Sequence, residues 1–263
     1  MTRRILFLIM LFPGILFSQT KEIRNLALES GKLQQDRLAE MFGENRDSIF
    51  QIFDSTLYRL FTHAIKVDDS TLINTDYFLV DSYSTKMKPV AIAYSLINKV
   101  VVSNSKDEKL RIISCDNLDG GSWHEYTNII QTFDSQGAPR TQKLNPESTE
   151  KSVGYYNIEQ ITDDSSTFYI AFGYGSEGSG NHHRVVKVFK DFGDSIGVMD
   201  CFAGKSTLEI VSKRWQDVEL AYNETKKTLC YREYIESYDE ENGTFNYKSE
   251  EIVWHFQGGE FIR

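Results

Sequence analysis

The stretch Phe168–Lys190, FYIAFGYGSEGSGNHHRVVKVFK, decides how this chain folds. Gly173, Gly175 and Gly178 fit the pattern G-x-G-x-x-G, directly after an apolar segment. In a dinucleotide site the third glycine opens a helix whose N-terminus holds the pyrophosphate. Here the residues that follow, Arg184 to Phe189, are rich in Val and read as a second strand. A hairpin tip has no helix dipole to offer a phosphate. A kinase-type glycine loop does join two strands, and Asp191-Phe192-Gly193 follows. The chain has no His-Arg-Asp catalytic loop, and the Asp-Phe-Gly arrives too soon after the glycines. The glycines therefore read as bends between strands, and no cofactor is expected.

The same period of two runs outward on both sides. Strand-like segments begin at Asp76–Asp81 and continue through Val90–Leu96, Lys99–Asn104, Leu110–Cys115 and Glu125–Phe133. They resume at Tyr155–Ile161, Phe168–Tyr174, Arg184–Lys190, Leu208–Lys213 and Val218–Tyr222. Leu229–Ser237, Phe245–Phe256 and Glu260–Ile262 complete them. They are rich in Val, Ile, Tyr, Phe and Thr, which suit a pleated surface. Asp-Gly-Gly, Glu-Asn-Gly and Gln-Gly-Gly between them are turn chemistry. Residues 137–152, with Pro139 and Pro146, read as a long loop. Short strands without intervening helices predict a mostly antiparallel meander: a rolled sheet, barrel or sandwich.

Upstream the period changes. Ile49, Phe50, Ile52, Phe53, Leu57, Leu60, Phe61 and Ile65 follow a helical spacing, and Ile23, Leu26, Leu33, Leu38 and Met41 a sparser one. Residues 20–66 thus predict a helical pair. Before them, Arg3 and Arg4 precede an apolar run, Ile5 to Phe17, that returns to polar sequence at Ser18. That is the layout of a signal peptide over residues 1–19, too short for a permanent transmembrane anchor. The predicted organisation is a signal peptide, a helical segment over 20–66 and an antiparallel β-domain over 67–263. The fold class is α+β, and the expected location is periplasmic or extracellular.

The 263 residues carry a net charge of −9, which becomes −9 − 2 = −11 once Arg3 and Arg4 are removed. Residues 21–66 hold seven basic and seven acidic residues, so the excess sits in 67–263. A surface of that sign repels phosphate backbones, and no nucleic-acid partner is expected. The cysteines are Cys115, Cys201 and Cys230. Cys201 and Cys230 pair if their strands adjoin; otherwise all three are buried thiols.

Other chemical-looking motifs fail on spacing. Gly204-Lys205-Ser206 needs a glycine five places earlier for a phosphate loop, and Met199 stands there. Asp116-Asn-Leu-Asp-Gly-Gly121 resembles a calcium loop, but Gly120 as its sixth position puts Cys115 first and Tyr126 twelfth. An irregular calcium turn or a hairpin whose Asp and Asn side chains bond their own backbone remains. His182 and His183 face opposite sides of a strand, although a loop would let them converge with His124. No metal site is therefore predicted. There is no G-x-S-x-G elbow. Carboxylates are plentiful enough to supply a glycosidase pair, but sequence does not choose one.

Four segments carry a resemblance. Leu110–Thr132 has a strand ending in Asp, a Gly-Gly hairpin, and a next strand with Tyr and Gln. Tyr169–Gly175 and Trp254–Phe261 are similar in style, and Phe17-Ser-Gln-Thr20 suits the same group's signal peptides. The chain resembles exported Bacteroidetes proteins of unknown function. A tryptophan often follows the serine in their strands, where this chain has Cys115. The resemblance implies export and a β-rich fold, and it carries over no catalytic residue.

The leading expectation is an exported non-catalytic protein that binds a ligand or an envelope partner. The alternative is a secreted hydrolase acting on glycan or peptide through paired carboxylates. The candidate ligand site is the glycine hairpin with the Asp116 turn: Asp116, Asp119, His124, Glu177, His182 and His183. Loops carried on a rigid sheet are where binding residues gather.

Overall fold

A computed structural model describes residues 80–81, 100–116, 124–134, 139–144, 151–163, 166–178, 180–193, 195–240 and 242–263. It also describes Lys32, Ser48, Ile49, Gln51, Ile52, Ser55, Thr56 and Arg59. The first sheet has the order β1 (Val80–Asp81), β2 (Val100–Asn104), β3 (Leu110–Asp116), β4 (Tyr126–Phe133), β5 (Pro139–Lys143). Among the described strands only β1 and β2 run parallel, and every other strand pair is antiparallel; the isolated bridge between Phe202 and Phe261 is also parallel. The central sheet contains β6 (Gly154–Asp163), β7 (Ser166–Glu177), β8 (Asn181–Asp191), β9 (Ile196–Val198) and β10 (Thr207–Lys213). Its order is β10-β8-β7-β6, with β9 also on β8. The third sheet is β11 (Ala221–Asn223), β12 (Thr228–Asp239), β13 (Thr244–Gln257) and β14 (Glu260–Ile262), in chain order.

The central sheet is covered on both faces. On one face Tyr169, Ala171, Val185 and Phe189 pack with Leu110, Ile112 and Ile130 of the first sheet. On the other, Ile170, Phe172, Val186 and Val188 pack with Leu229, Phe256 and Phe261 of the third. Register puts Phe172 directly opposite Val186, so these side chains share a face. Two-sided burial explains why β7 and β8 read as near-continuous apolar runs instead of alternating. Each large ring buried there stabilises the fold by about 1.5–3 kcal/mol.

The first and central sheets join through a polar seam. Ser103 Oγ donates to the Tyr155 carbonyl at 3.2 Å, and the Tyr155 amide donates to Ser114 Oγ at 2.8 Å. Asn128 Nδ2 donates to the Val153 carbonyl at 2.9 Å. β6 is the edge of its sheet, and these side chains satisfy backbone groups a neighbouring strand would take. A bulge shifts the register between Tyr155 and Asn157 beside this seam.

The α+β expectation is corrected. All the delimited elements are strands, and they form three stacked sheets, not one meander. The described residues within 20–66 are helical but scattered and delimit no helix; the predicted helical pair otherwise lies outside the described residues. So does Val90–Leu96. The predicted loop over 137–152 contains β5, whose polar residues and Pro139 disguise it. Proline is tolerated there because, among the described residues, β5 is an edge strand with only β4 beside it. Cys115, Cys201 and Cys230 are free thiols, so Cys201 and Cys230 do not pair. Burial pushes the Cys201 thiol up to about 12. Among the described residues no helix is long and apolar enough to cross a membrane.

Candidate functional site

The glycine motif is a hairpin. Gly178 (φ +50°) and Gly180 (φ +122°) make the turn, and β8 follows where a nucleotide site needs a helix. Gly173 and Gly175 serve packing. A Cβ on Gly173 would come within 2.5 Å of Val153, and one on Gly175 would collide with the His183 ring and the Ser152 carbonyl. Asp-Phe-Gly is also a turn: Asp191 Oδ1 accepts the Gly193 amide at 2.7 Å, and Gly193 sits at φ +88°. At Gly204-Lys205-Ser206, Phe202 and Lys205 exchange backbone bonds across Ala203 and Gly204, both at positive φ.

Part of the predicted site comes together. Asp116 ends β3 with its side chain buried, its Oδ2 3.0 Å from His124 Nδ1. The Tyr126 ring lies beside this pair, its centre 6.5 Å from that of His124. Its phenol is pushed well up by burial, then by Asp116 and by Tyr174. Tyr174 in turn lies 2.6 Å from His182 Nδ1. Burial holds the Tyr174 phenol far above its ordinary value, so its hydroxyl donates to that nitrogen. Burial, then Arg214, Arg184 and His183, push the His182 imidazole down to about 4. His182 is therefore neutral at pH 7 and accepts through Nδ1. Buried Arg184 reaches Ser212 Oγ at 3.2 Å and lies 5.7 Å from the centre of the Tyr174 ring.

The rest does not join it. His183 faces the opposite side of β8, where buried Nε2 lies 2.8 Å from the Ser152 carbonyl. Because a carbonyl only accepts, Nε2 carries the proton. Glu177 pairs with Asn181 at the end of the ladder, but its side chain is outside the described residues. Asp119 is outside them altogether. Among the described residues no group of three or more His, Cys, Asp or Glu gathers to hold a metal. What has converged is two separate pairs, the Asp116 carboxylate with His124 and the Tyr174 phenol with His182.

Sequence reading missed a second place, a groove of about 380 Å³ where the three sheets meet. Lys106 and Asp107 line it from the β2–β3 turn, Gln160, Ile161 and Thr162 from β6, and Tyr222, Glu224 and Lys227 from around β11. Two ion pairs lie in the wall. Lys106 Nζ meets both Glu224 oxygens at 2.8 and 2.9 Å, and Lys227 Nζ meets Asp163 at 2.6 Å. Asp107 accepts from Ser105 Oγ at 2.7 Å and from the Tyr169 hydroxyl at 2.9 Å. Two polar atoms in the wall are different. Among the described residues, Gln160 Oε1 and the Tyr222 hydroxyl are buried and find no hydrogen-bond partner. Each such orphan costs about 1–3 kcal/mol. Burial, then Glu224, Glu159 and Asp163, push the Tyr222 phenol up, so it keeps its proton and is a donor. Neither atom reaches the groove's open surface; a ligand beside Ile161 would meet this donor and this acceptor only after a small shift of the wall.

Little in the sequence marks this groove. Gln160 and Tyr222 look like ordinary strand residues, and the turns that flank them lie far apart along the chain. The turn residues of 104–109 and 223–227 were the only local signal. The chain matches no family model, no curated protein and no solved structure with which it was compared.

Proposed function

We propose that this is an exported, non-catalytic binding or envelope-associated protein, and that its ligand occupies the three-sheet groove. The orphaned pair, Gln160 Oε1 and the Tyr222 hydroxyl, carries this reading. Buried polar groups in native proteins find partners, and a ligand hydroxyl or amide admitted by a small shift of the wall would complete both. Both lysines of the wall are held by carboxylates and Asp107 by hydroxyls, which favours a neutral polar ligand over an anion. A volume of about 380 Å³ falls among small-molecule sites, which span roughly 300–1,000 Å³. The hydrolase alternative needs one carboxyl that keeps its proton and a second free to attack or to activate water. Here Glu224 and Asp163 are held by lysines, and Asp107 is already accepting hydrogen bonds. Export rests on Arg3, Arg4 and the apolar run to Phe17, and on the resemblance to exported Bacteroidetes proteins.

The test is a thermal-shift screen of the mature chain against neutral oligosaccharides and blocked peptides. A ligand specific for the native state raises Tm. The expected result is a shift that Gln160→Ala with Tyr222→Phe abolishes. A shift that survives both changes, or none with any compound, overturns the groove assignment. Release of product from either class of compound would establish the hydrolase instead. Mass spectrometry of the secreted chain tests export, with a mature N-terminus near Gln19 expected.

A further inference from the structure

The outer half of the β12–β13 hairpin leaves the body of the molecule. From Ile235 and Lys248 toward the tip almost every residue is exposed, on both faces. Register separates those faces. Tyr234, Glu236 and Tyr238 lie opposite Ser249, Tyr247 and Phe245 on one side. Ile235, Ser237 and Asp239 lie opposite Lys248, Asn246 and Thr244 on the other. The first side is aromatic, and Trp215 joins it, with its ring centre 4.8 Å from Tyr247 and 6.1 Å from Tyr234. Tyr238 and Phe245 form a pair at 5.0 Å near the tip. Trp215, Tyr238 and Phe245 are 62%, 57% and 60% exposed. A soluble chain rarely leaves so contiguous a ring surface in water without a use for it.

Charge and ring geometry define the partner that fits. Residues 232–251 carry seven acids (Glu233, Glu236, Asp239, Glu240, Glu241, Glu250, Glu251) against Arg232 and Lys248, a net charge of −5. Glu236 sits within the aromatic face and accepts the Tyr247 hydroxyl at 2.7 Å. A second copy of the arm would bring like charges together. A glycan wants rings sharing one plane, whereas these meet at 54–78°. A cation needs only one ring face and a nearby carboxylate. Among the described residues β11 pairs β12 only as far as Cys230, and β14 pairs β13 only back to His255. The Arg232 amide still donates to the Val218 carbonyl at 2.6 Å; from Tyr234 outward on β12, and before His255 on β13, the ribbon edges present backbone groups that an extended chain can pair with. We propose that the arm is a docking surface for an extended, lysine- or arginine-rich polypeptide segment, bound through its cations and its backbone.

The test is titration of the mature chain with decalysine, followed by tryptophan fluorescence and calorimetry. Decaglutamate and a chito-oligosaccharide are the controls. Binding that weakens steeply with salt is expected. Tyr238→Ala with Phe245→Ala should reduce affinity by about tenfold without changing Tm, the size of losing an anchor residue. Glu236→Gln with Glu250→Gln and Glu251→Gln should reduce it further. Neutralising three exposed acids elsewhere (Asp200, Glu209, Glu260) should leave it nearly unchanged. Equal loss in that control, or affinity unaffected by the aromatic change, means general attraction to an acidic protein and overturns the proposal. So does an arm that takes the oligosaccharide and not decalysine.

Discussion

Two hairpins of similar length behave in opposite ways. β7 and β8, of 12 and 11 residues, form the centre of the molecule, and β12 and β13, of 12 and 14, end in an exposed arm. Both turn on glycine, at Gly178 and at Gly243, and both are rich in aromatic and β-branched residues. Strand propensity therefore does not separate them. Charge spacing does. Between Thr167 and Val188 the only charged strand residues apart from Glu177 are Arg184 and Lys187, while the arm carries an acid or base at almost every second position. A ribbon packed between two layers has no dry place for such a series of charges. Propensity makes the hairpin, and the tolerance of each face for charge decides whether another layer covers it.

The contrast breaks most visibly under truncation. Phe172→Ala in the central sheet should cost about 3–5 kcal/mol, because its ring is 1% exposed. Phe245→Ala in the arm should cost under about 0.5 kcal/mol, as surface substitutions do. Urea midpoints at constant m-value measure both, and similar losses would show that the arm is packed after all. Next in size, Gly175→Ala should cost about 1–3 kcal/mol by overpacking against His183 and Ser152. Gly178→Ala has open space around it and bears only the left-handed backbone penalty, about 1–2 kcal/mol. If Gly178 proved the costlier, the glycines would serve the turn more than the packing.

The smallest effect is electrostatic and sharpens the boundary between layers. Lys109 of the β2–β3 turn meets Asp191, at the end of β8, at 2.9 Å. Burial of Asp191 opposes its charge, but hydrogen bonds from Lys109 and the Gly193 amide outweigh burial and hold its carboxyl below the ordinary range. A depressed acid stabilises the fold above its unfolded value, about 3.9, and loses that contribution as pH falls through the folded value. With Lys109 partly exposed, the contribution is under about 1 kcal/mol. Urea midpoints of the wild type and Asp191→Asn should stay apart by a constant gap from pH 7 to about 5, then converge toward pH 3. A gap that widens on acidification would mean the pair does not act as described.

Local chemistry was legible and long-range order was not. Arg184 to Phe189 identified the glycine motif as a hairpin because strand period and turn residues act over a few positions. Period also separated His182 from His183. β5 was hidden because an edge strand need not be apolar, so Thr141 and Gln142 gave no signal. The division into three sheets depends on pairings such as Ser103 with Tyr155, 52 residues apart, which no local pattern encodes. The groove shares that cause: Asp107, Gln160 and Tyr222 each look ordinary until the layers bring them together. Asp116 with His124 and Tyr174 with His182 were partly within reach, since both pairs flank turns that the period located.

The hydroxyls and the amide that occupy the free rim of β6 have an effect beyond cohesion. A stray strand from another molecule would find those slots already filled by Ser103, Ser114 and Asn128. Growth of the central sheet is blocked on that side by short side chains fixed in the neighbouring layer, with no need for a charged guard on the strand itself. That block covers the Val153–Tyr155 end of the rim and lasts only while the two layers stay together.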